Sequence, residues 1–314
     1  MVANSIIQGD CRQILGTVRP DSISACIADP PYNYEFIGRK WNAEEIRRRC
    51  DRIKGDESKT LVKNIPYGSG LAGGVRNANW YKRNRENIVD YGEWCFQWAQ
   101  PLYTCLKRGA FVLVFNSTRT VAHVQIALER AGFYARDMLA WRRHSGIPKG
   151  FNGNQMKERE ADHSWEGWHS CLRNEWEAIC VLQKPLINNY PETLKKTGVG
   201  LMHAENGEGF ASNIIEGISN RGKTNDENTH CTVKPLDLMK RLVELVTPPG
   251  REHIVLDPFA GSGTTLLAAH ELGRSYLGIE LVDEYCEIAR RRLSGVSDRP
   301  RQTTSAKPTE KLLF

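Results

Sequence analysis

Ile254-Val-Leu-Asp-Pro-Phe-Ala-Gly-Ser-Gly-Thr-Thr265 is the stretch on which the fold turns. An apolar run ends on an acid, a proline closes it, and two glycines open a segment of helical periodicity. That is a buried strand, a tight turn and a helix start. Gly261 and Gly263 tolerate left-handed backbone and let a ligand approach the main chain closely. The turn lacks the third glycine of G-x-G-x-x-G and has no Gly-Lys-Ser/Thr, which disfavours dinucleotides and nucleoside triphosphates. After the helix a second apolar run ends at Glu280, seventeen residues beyond Gly263. A carboxylate at that strand tip can accept hydrogen bonds from both hydroxyls of a ribose.

Outward from this stretch, short apolar runs bounded by turn residues alternate with helical periodicity. Strands are expected at 24–28, 110–115, 134–141, 178–182, 254–257 and 275–280, and helices at 91–107, 120–131, 235–247, 264–272 and 283–293. This pattern predicts an α/β domain built on a mostly parallel, doubly wound sheet. Trp94, Phe96 and Trp98 in the first helix read as core residues. The stretch 185–229, rich in Gly and Asn without clear period, is expected to be a loop-dominated insertion.

A second motif lies near the other end, in Ser24-Ala-Cys-Ile-Ala-Asp-Pro-Pro-Tyr-Asn33. A strand stops at two prolines, which fix the backbone and hold the flanking carboxylate and ring in place. The carboxyl end of a buried parallel strand is where open α/β sheets bind ligands. Asp29 offers a carboxylate, Pro30 a carbonyl, Tyr32 an aromatic face and Asn33 a side-chain amide. A planar heterocycle with an exocyclic amino group satisfies all four.

The chain has 314 residues, 40% of them hydrophobic and 25% charged, and a formal net charge of +6, which excludes wholesale disorder. No stretch approaches the ~18–20 apolar residues of a membrane span, and Met1-Val-Ala-Asn-Ser-Ile carries no charged-then-apolar leader, so a cytoplasmic protein is expected. The nine cysteines lie singly, with no C-x-x-C to suggest a metal, and read as reduced thiols. Residues 36–90 hold thirteen Lys/Arg against seven Asp/Glu, as much net charge as the whole chain. With Gly68-Ser-Gly-Leu-Ala-Gly-Gly74 and Trp41, Tyr67, Trp80 and Tyr81, this segment reads as a surface loop that approaches a polyanion. Arg39, Lys40, Arg76, Lys82, Arg83 and Arg85 are its candidate contacts. A second basic patch, from Arg290 to Lys311, ends in a Pro/Ser/Thr-rich tail.

Taken together, the two motifs resemble the DNA amino-methyltransferases, which use S-adenosylmethionine to methylate adenine N6 or cytosine N4. Phe259-Ala-Gly-Ser-Gly263 resembles the family's cofactor loop, Asp29-Pro-Pro-Tyr32 its catalytic loop, and Glu280 its ribose-binding acid. His230-Cys-Thr-Val-Lys-Pro235 is similar to the family's His-Pro-Thr-Gln-Lys-Pro, departing at Cys231 and Val233, and Asp10 sits where the family places an acid near the adenine. The stretch from Trp141 to Pro185, with Gly146-Ile-Pro-Lys149 and Asn174-Glu-Trp-Glu-Ala-Ile-Cys-Val-Leu-Gln-Lys-Pro185, also resembles modification methylases.

The resemblance implies a Rossmann-like methyltransferase fold with inserted DNA-recognition loops and, because the catalytic motif precedes the cofactor motif, the permuted β-class order. It implies Asp29, Pro30, Pro31, Tyr32 and Asn33 as catalytic residues. The cofactor would fall to Asp10, Asp29, Thr232, Lys234, Asp257, Phe259, Ala260, Gly261, Ser262, Gly263, Thr264, Thr265 and Glu280. Residues 1–184 then form the catalytic part, 185–229 the target-recognition region, 230–295 the cofactor-binding part of the same domain, and 296–314 a tail. Asp at position 29 favours adenine N6, with cytosine N4 the alternative and RNA or protein glutamine more distant ones. Double-stranded DNA is the implied partner; a homodimer is common in the group, and a separately acting cognate restriction endonuclease goes with modification enzymes.

Overall fold

The computed structural model describes residues 3–32, 44, 78–143, 151–156, 163–205, 209–218 and 233–297. Asn33, Arg39, Lys40, Arg76 and Thr232, the side chain of Arg83, and the tail from 298 lie outside the described residues. Eight strands form one sheet: β1 (Ser5–Gln8), β2 (Ile23–Ala28), β3 (Leu106–Asn116), β4 (Tyr134–Arg142), β5 (Trp176–Gln183), β6 (Ile214–Ile215), β7 (Ile254–Asp257) and β8 (Ser275–Glu280). Their spatial order is β1-β8-β7-β2-β3-β5-β4-β6, parallel from β1 through β3, with β5 antiparallel to both β3 and β4. The expected α/β fold and all six expected strands are present.

Helices cover both faces. On one face pack α1 (Cys11–Ile14), α2 (Ala78–Cys105) and α3 (Val121–Arg130), and on the other α5 (Leu236–Val246), α6 (Thr264–Glu271) and α7 (Asp283–Ser297); α4 (Tyr190–Thr197) lies beyond the sheet's end. The pleat divides the core between the layers. In β3, Val112 and Val114 join the first cluster, while Phe111, Leu113 and Phe115 join the second. Because helices cover both faces, β2 is buried at all six positions and reads as an apolar run broken only by Ser24. In α5 the buried residues are Leu238, Met239, Leu242, Val243 and Val246, a single apolar stripe at helical spacing.

One expectation is corrected and a second is refined. The basic segment 36–90 is not a loop to its end, because residues 78–90 belong to α2. This stretch has neither Gly nor Pro, so the helix anchored by Tyr91, Trp94, Trp98 and Leu102 in the core propagates outward as a solvated extension. Within 185–229 most of the described residues are loop, as expected, and the segment also forms α4 and β6. The signals for α4 are in the sequence: Asn189 caps it by accepting from the Glu192 N–H at 2.9 Å, a proline opens it, lysines close it, and Gly198 ends it at φ 71°. Trp94 and Trp98 are buried, as expected of core residues.

Candidate active site

Four acids stand at the carboxyl ends of four neighbouring parallel strands. Asp10 follows β1, Glu280 ends β8, Asp257 ends β7 and Asp29 follows β2. In sequence they are scattered from position 10 to position 280, and the sheet order alone brings them to one edge.

Glu280 is nine-tenths buried, and the chain fixes both its oxygens: Oε2 accepts from the Gly261 N–H and Oε1 from the Val282 N–H, each at 2.8 Å. Each oxygen has a second lone pair, so a carboxylate aimed by two backbone amides suits a diol. The glycine turn is built for close approach. Gly261 and Gly263 have φ of 51° and 79°, and a Cβ on Gly263 would lie 2.8 Å from the Ala289 Cβ. Phe259 is wedged against Trp94 and Trp98 of α2, with ring centroids 5.6 and 5.5 Å apart. Arg292 of α7 bonds the Ser262 carbonyl at 2.6 Å, and Ser262, Thr264 and Thr265 are all buried in the turn. Asp10 caps α1 through the Arg12 N–H at 2.9 Å. Burial pushes its carboxyl up, but the hydrogen bonds and charge of Arg12 outweigh that and leave it below its ordinary value.

Asp257 accepts from the Phe259 N–H at 3.0 Å and from the Thr265 hydroxyl at 2.5 Å, tying strand end to helix start. Burial pushes its pKa up to about 7, against the lowering effect of these bonds, with Asp29 and Glu280 adding to the rise. Because the folded value exceeds the unfolded 3.8, the folded state holds a proton between about pH 4 and 7 that the unfolded chain has lost. Stability from this group is full below about pH 4 and is lost as pH rises through about 7. The melting temperature of wild type minus that of Asp257→Asn in the ligand-free protein is expected to fall across this window. A difference independent of pH would exclude this.

On the β2 side, the Tyr32 hydroxyl lies 2.7 Å from Asp29 Oδ1 and also contacts Glu177 Oε1. Lys234, just before α5, places Nζ 2.6 Å from Asp29 Oδ2, 3.2 Å from the Tyr32 hydroxyl and 3.1 Å from Glu177 Oε1. Burial pushes the Tyr32 phenol well up, and the Asp29 and Glu177 carboxylates push it further. Burial alone would lower the Lys234 ammonium, but Asp29 and Glu177 outweigh it and hold its pKa above the ordinary value. Lys234, expected from the resemblance to serve the cofactor, thus has its charge beside the Asp29-Pro-Pro-Tyr32 turn.

Glu177 is not among the candidates that the sequence motifs supply. The signal in the sequence is an acid opening an otherwise apolar strand, Glu177-Ala-Ile-Cys-Val-Leu182. Of the basic candidates, Lys82 and Arg85 are exposed on the outer end of α2. The expected base-reading region is divided by the sheet. Lys184 bonds the Leu106 carbonyl at 2.8 Å and Asp21 at 3.0 Å, where β3 begins, so α4 stands at the edge opposite Asp29. Strand β6 runs parallel to β4, so the chain after Ile215 heads back toward the Asp29 edge. Among the described residues no cluster could hold a metal ion, and no helix is long and apolar enough to cross a membrane.

Comparison with known proteins agrees with this geometry. A family model described as DNA methylase matches residues 23–291. The chain is 32% identical over 290 residues to the Type II methyltransferase M.HindIII of Haemophilus influenzae, covering 87% of this chain and 89% of that protein. It is 25% identical over 297 residues to the Type II methyltransferase M.HinfI of the same species, covering 95% and 70%. Among solved structures, the M1.HpyAVI–SAM complex superposes with a TM-score of 0.53 at 21% identity, covering 92% and 98% of the two chains. The cytosine-N4-specific PvuII DNA methyltransferase superposes with a TM-score of 0.57 at 16% identity, covering 93% and 86%. A strand-tip acid beside a glycine turn, a Pro-Pro-locked acid one strand further on, and a match running through both place this chain in the DNA methylase family, among the Type II methyltransferases.

Proposed function

We propose that this chain transfers a methyl group from S-adenosylmethionine to N6 of adenine at a specific site in double-stranded DNA, after the target base has flipped out of the helix. The observation that carries this reading is the pairing of Glu280 and the Gly261–Gly263 turn with Asp29-Pro-Pro-Tyr32, brought to adjacent tips of one sheet by β8, β7 and β2.

The turn fits the cofactor. Glu280, its oxygens fixed by two amides, would hold the ribose; the side-chain-free Gly263 keeps the turn tight; and Phe259, held by two tryptophans, offers an apolar wall. Asp10, at the neighbouring tip of β1, would face the cofactor's adenine. Bound there, S-adenosylmethionine supplies an electrophilic methyl group on a sulfonium sulfur.

The chain's own residues then have one task, because an exocyclic amine shares its lone pair with the ring and is a poor nucleophile. Asp29 and the Pro30 carbonyl accept its two N–H bonds, which favours a pyramidal nitrogen and stabilises the positive charge it develops. The prolines hold both acceptors still, so alignment is set in advance of reaction. Stacking on Tyr32 offsets part of the cost of flipping, a few kcal/mol. The outward end of α2 and the basic segment preceding it would meet the phosphates. Base reading would fall to the chain after β6 rather than to α4. A cytoplasmic location, a homodimer and a separately acting restriction endonuclease complete the proposal.

The test is to incubate the protein with plasmid DNA and methyl-labelled S-adenosylmethionine, digest to nucleosides and identify the labelled product. N6-methyldeoxyadenosine is expected. N4-methyldeoxycytidine would overturn the choice of base, and unlabelled DNA would overturn the substrate.

A further inference from the structure

Glu177 opens a role that the methylation motifs do not contain. Its carboxylate is almost wholly buried at the start of β5, yet its two oxygens face three groups: Tyr32 and Lys234 at Oε1, and the Arg143 guanidinium 3.5 Å from Oε2. Asp29, Glu177, Lys234 and Arg143 thus form a set of two acids and two bases. In it, both oxygens of Asp29 are already engaged, Oδ1 by Tyr32 and Oδ2 by Lys234.

The surroundings of the Lys234 ammonium match those a reacting amine needs. Nζ lies 5.2 Å from the centre of the Tyr32 ring and 4.9 Å from that of Phe115, with the Asp29 carboxylate 2.6 Å away. A nitrogen bearing N–H donors and positive charge, held against the Asp29 carboxylate at the Tyr32 hydroxyl and close to the Phe115 ring, is also a description of the target amine as it accepts a methyl group. We propose that Lys234 holds the place of the target amine at Asp29, and that Glu177 is the positioning residue that takes over its ammonium when that amine arrives. This rests on the methyl-transfer reading and deepens it.

Two physical constraints support the exchange. A buried ammonium cannot be left without a carboxylate, so it can leave Asp29 only toward another one within reach. Glu177 Oε1 is already 3.1 Å from Nζ, so a small shift keeps the ion pair while clearing Asp29 Oδ2. Losing the charge by deprotonation is not a route at neutral pH, because the flanking carboxylates hold the Lys234 pKa above its ordinary value. Arg143 balances Glu177 on both sides of the exchange.

The experiment is single-turnover methylation of plasmid DNA by the full chain saturated with labelled S-adenosylmethionine, comparing wild type, Glu177→Gln and Glu177→Gln/Lys234→Met. Without the Glu177 charge, the ammonium stays on Asp29, and the single variant is expected to slow on the order of 100-fold, as for a misplaced reacting group. Removing the placeholder as well is expected to recover about 10-fold of that loss, since Asp29 is then free. A purely structural role would make the double variant as slow as the single one or slower. Unchanged cofactor binding by calorimetry establishes that the site is folded. If Glu177→Gln does not fold, Glu177→Asp, which withdraws the carboxylate by one methylene, carries the same test through relief by Lys234→Met. An undiminished rate in the single variant, or no relief in the double, overturns the proposal. Wild type that leaves DNA unlabelled overturns the methylation reading, and this proposal with it.

Discussion

Asp29→Ala is expected to abolish methyl transfer while S-adenosylmethionine still binds to within a few-fold of wild type. In the proposed mechanism the carboxylate is the charged partner of the reacting amine, and a preorganised group of this kind is worth on the order of 10²–10³ in rate, or roughly 3–4 kcal/mol. The variant loses more than that one contact. Tyr32 loses its 2.7 Å partner and Lys234 its closest carboxylate, so the ring on which the base would stack is no longer held at its hydroxyl by Asp29. Asp29→Asn keeps the shape and an acceptor oxygen but not the charge, and should fall between wild type and Ala. Titration calorimetry with the cofactor and single-turnover methylation with DNA separate the two functions. Loss of both together would assign Asp29 to the cofactor or to folding instead of to the reacting amine.

The second large effect is expected at Gly263, where Val should weaken cofactor binding by more than about tenfold and lower the melting temperature by several degrees. Left-handed backbone costs an L-residue roughly 1–2 kcal/mol, and a β-branched side chain more. Position 263 adds a steric penalty, because its Cβ would lie 2.8 Å from the Ala289 Cβ on α7, a short side chain that cannot swing away. Relief requires the turn to move, which would pull the Gly261 N–H off Glu280 and Thr265 off Asp257. The contrast is Gly278. A Cβ there meets Leu266 Cδ1 at 2.5 Å and the Ala260 Cβ at 3.2 Å, but the nearer atom is the end of a flexible side chain and the backbone is not left-handed, so Gly278→Ala should cost less. Wild-type cofactor affinity and melting in Gly263→Val would show that the turn does not need its glycine.

Both predictions concern residues that stand out in the amino-acid sequence alone, and the reason is local. Asp29 is flanked by Pro30-Pro31, and Gly263 follows a strand and starts a helix, so the backbone constraint that gives each its role is encoded within a few residues. The strands are legible for a similar reason, since a strand covered on both faces must be largely apolar, as β2 is apart from Ser24. The two-residue β6 lacks the length for any periodicity to register.

The sequence by itself determined the fold class, the two motifs and the chemistry they share, because strand, turn and helix signals and proline-locked turns act over a few residues. Tertiary structure alone decided what those motifs face. The parallel order β1-β8-β7-β2 carried Asp10, Glu280, Asp257 and Asp29 to one edge, the antiparallel β5 sent α4 to the other, and Glu177 met Tyr32 across 145 positions. Pairing of distant strands is set by which faces can be buried together, and no local run of residues records that.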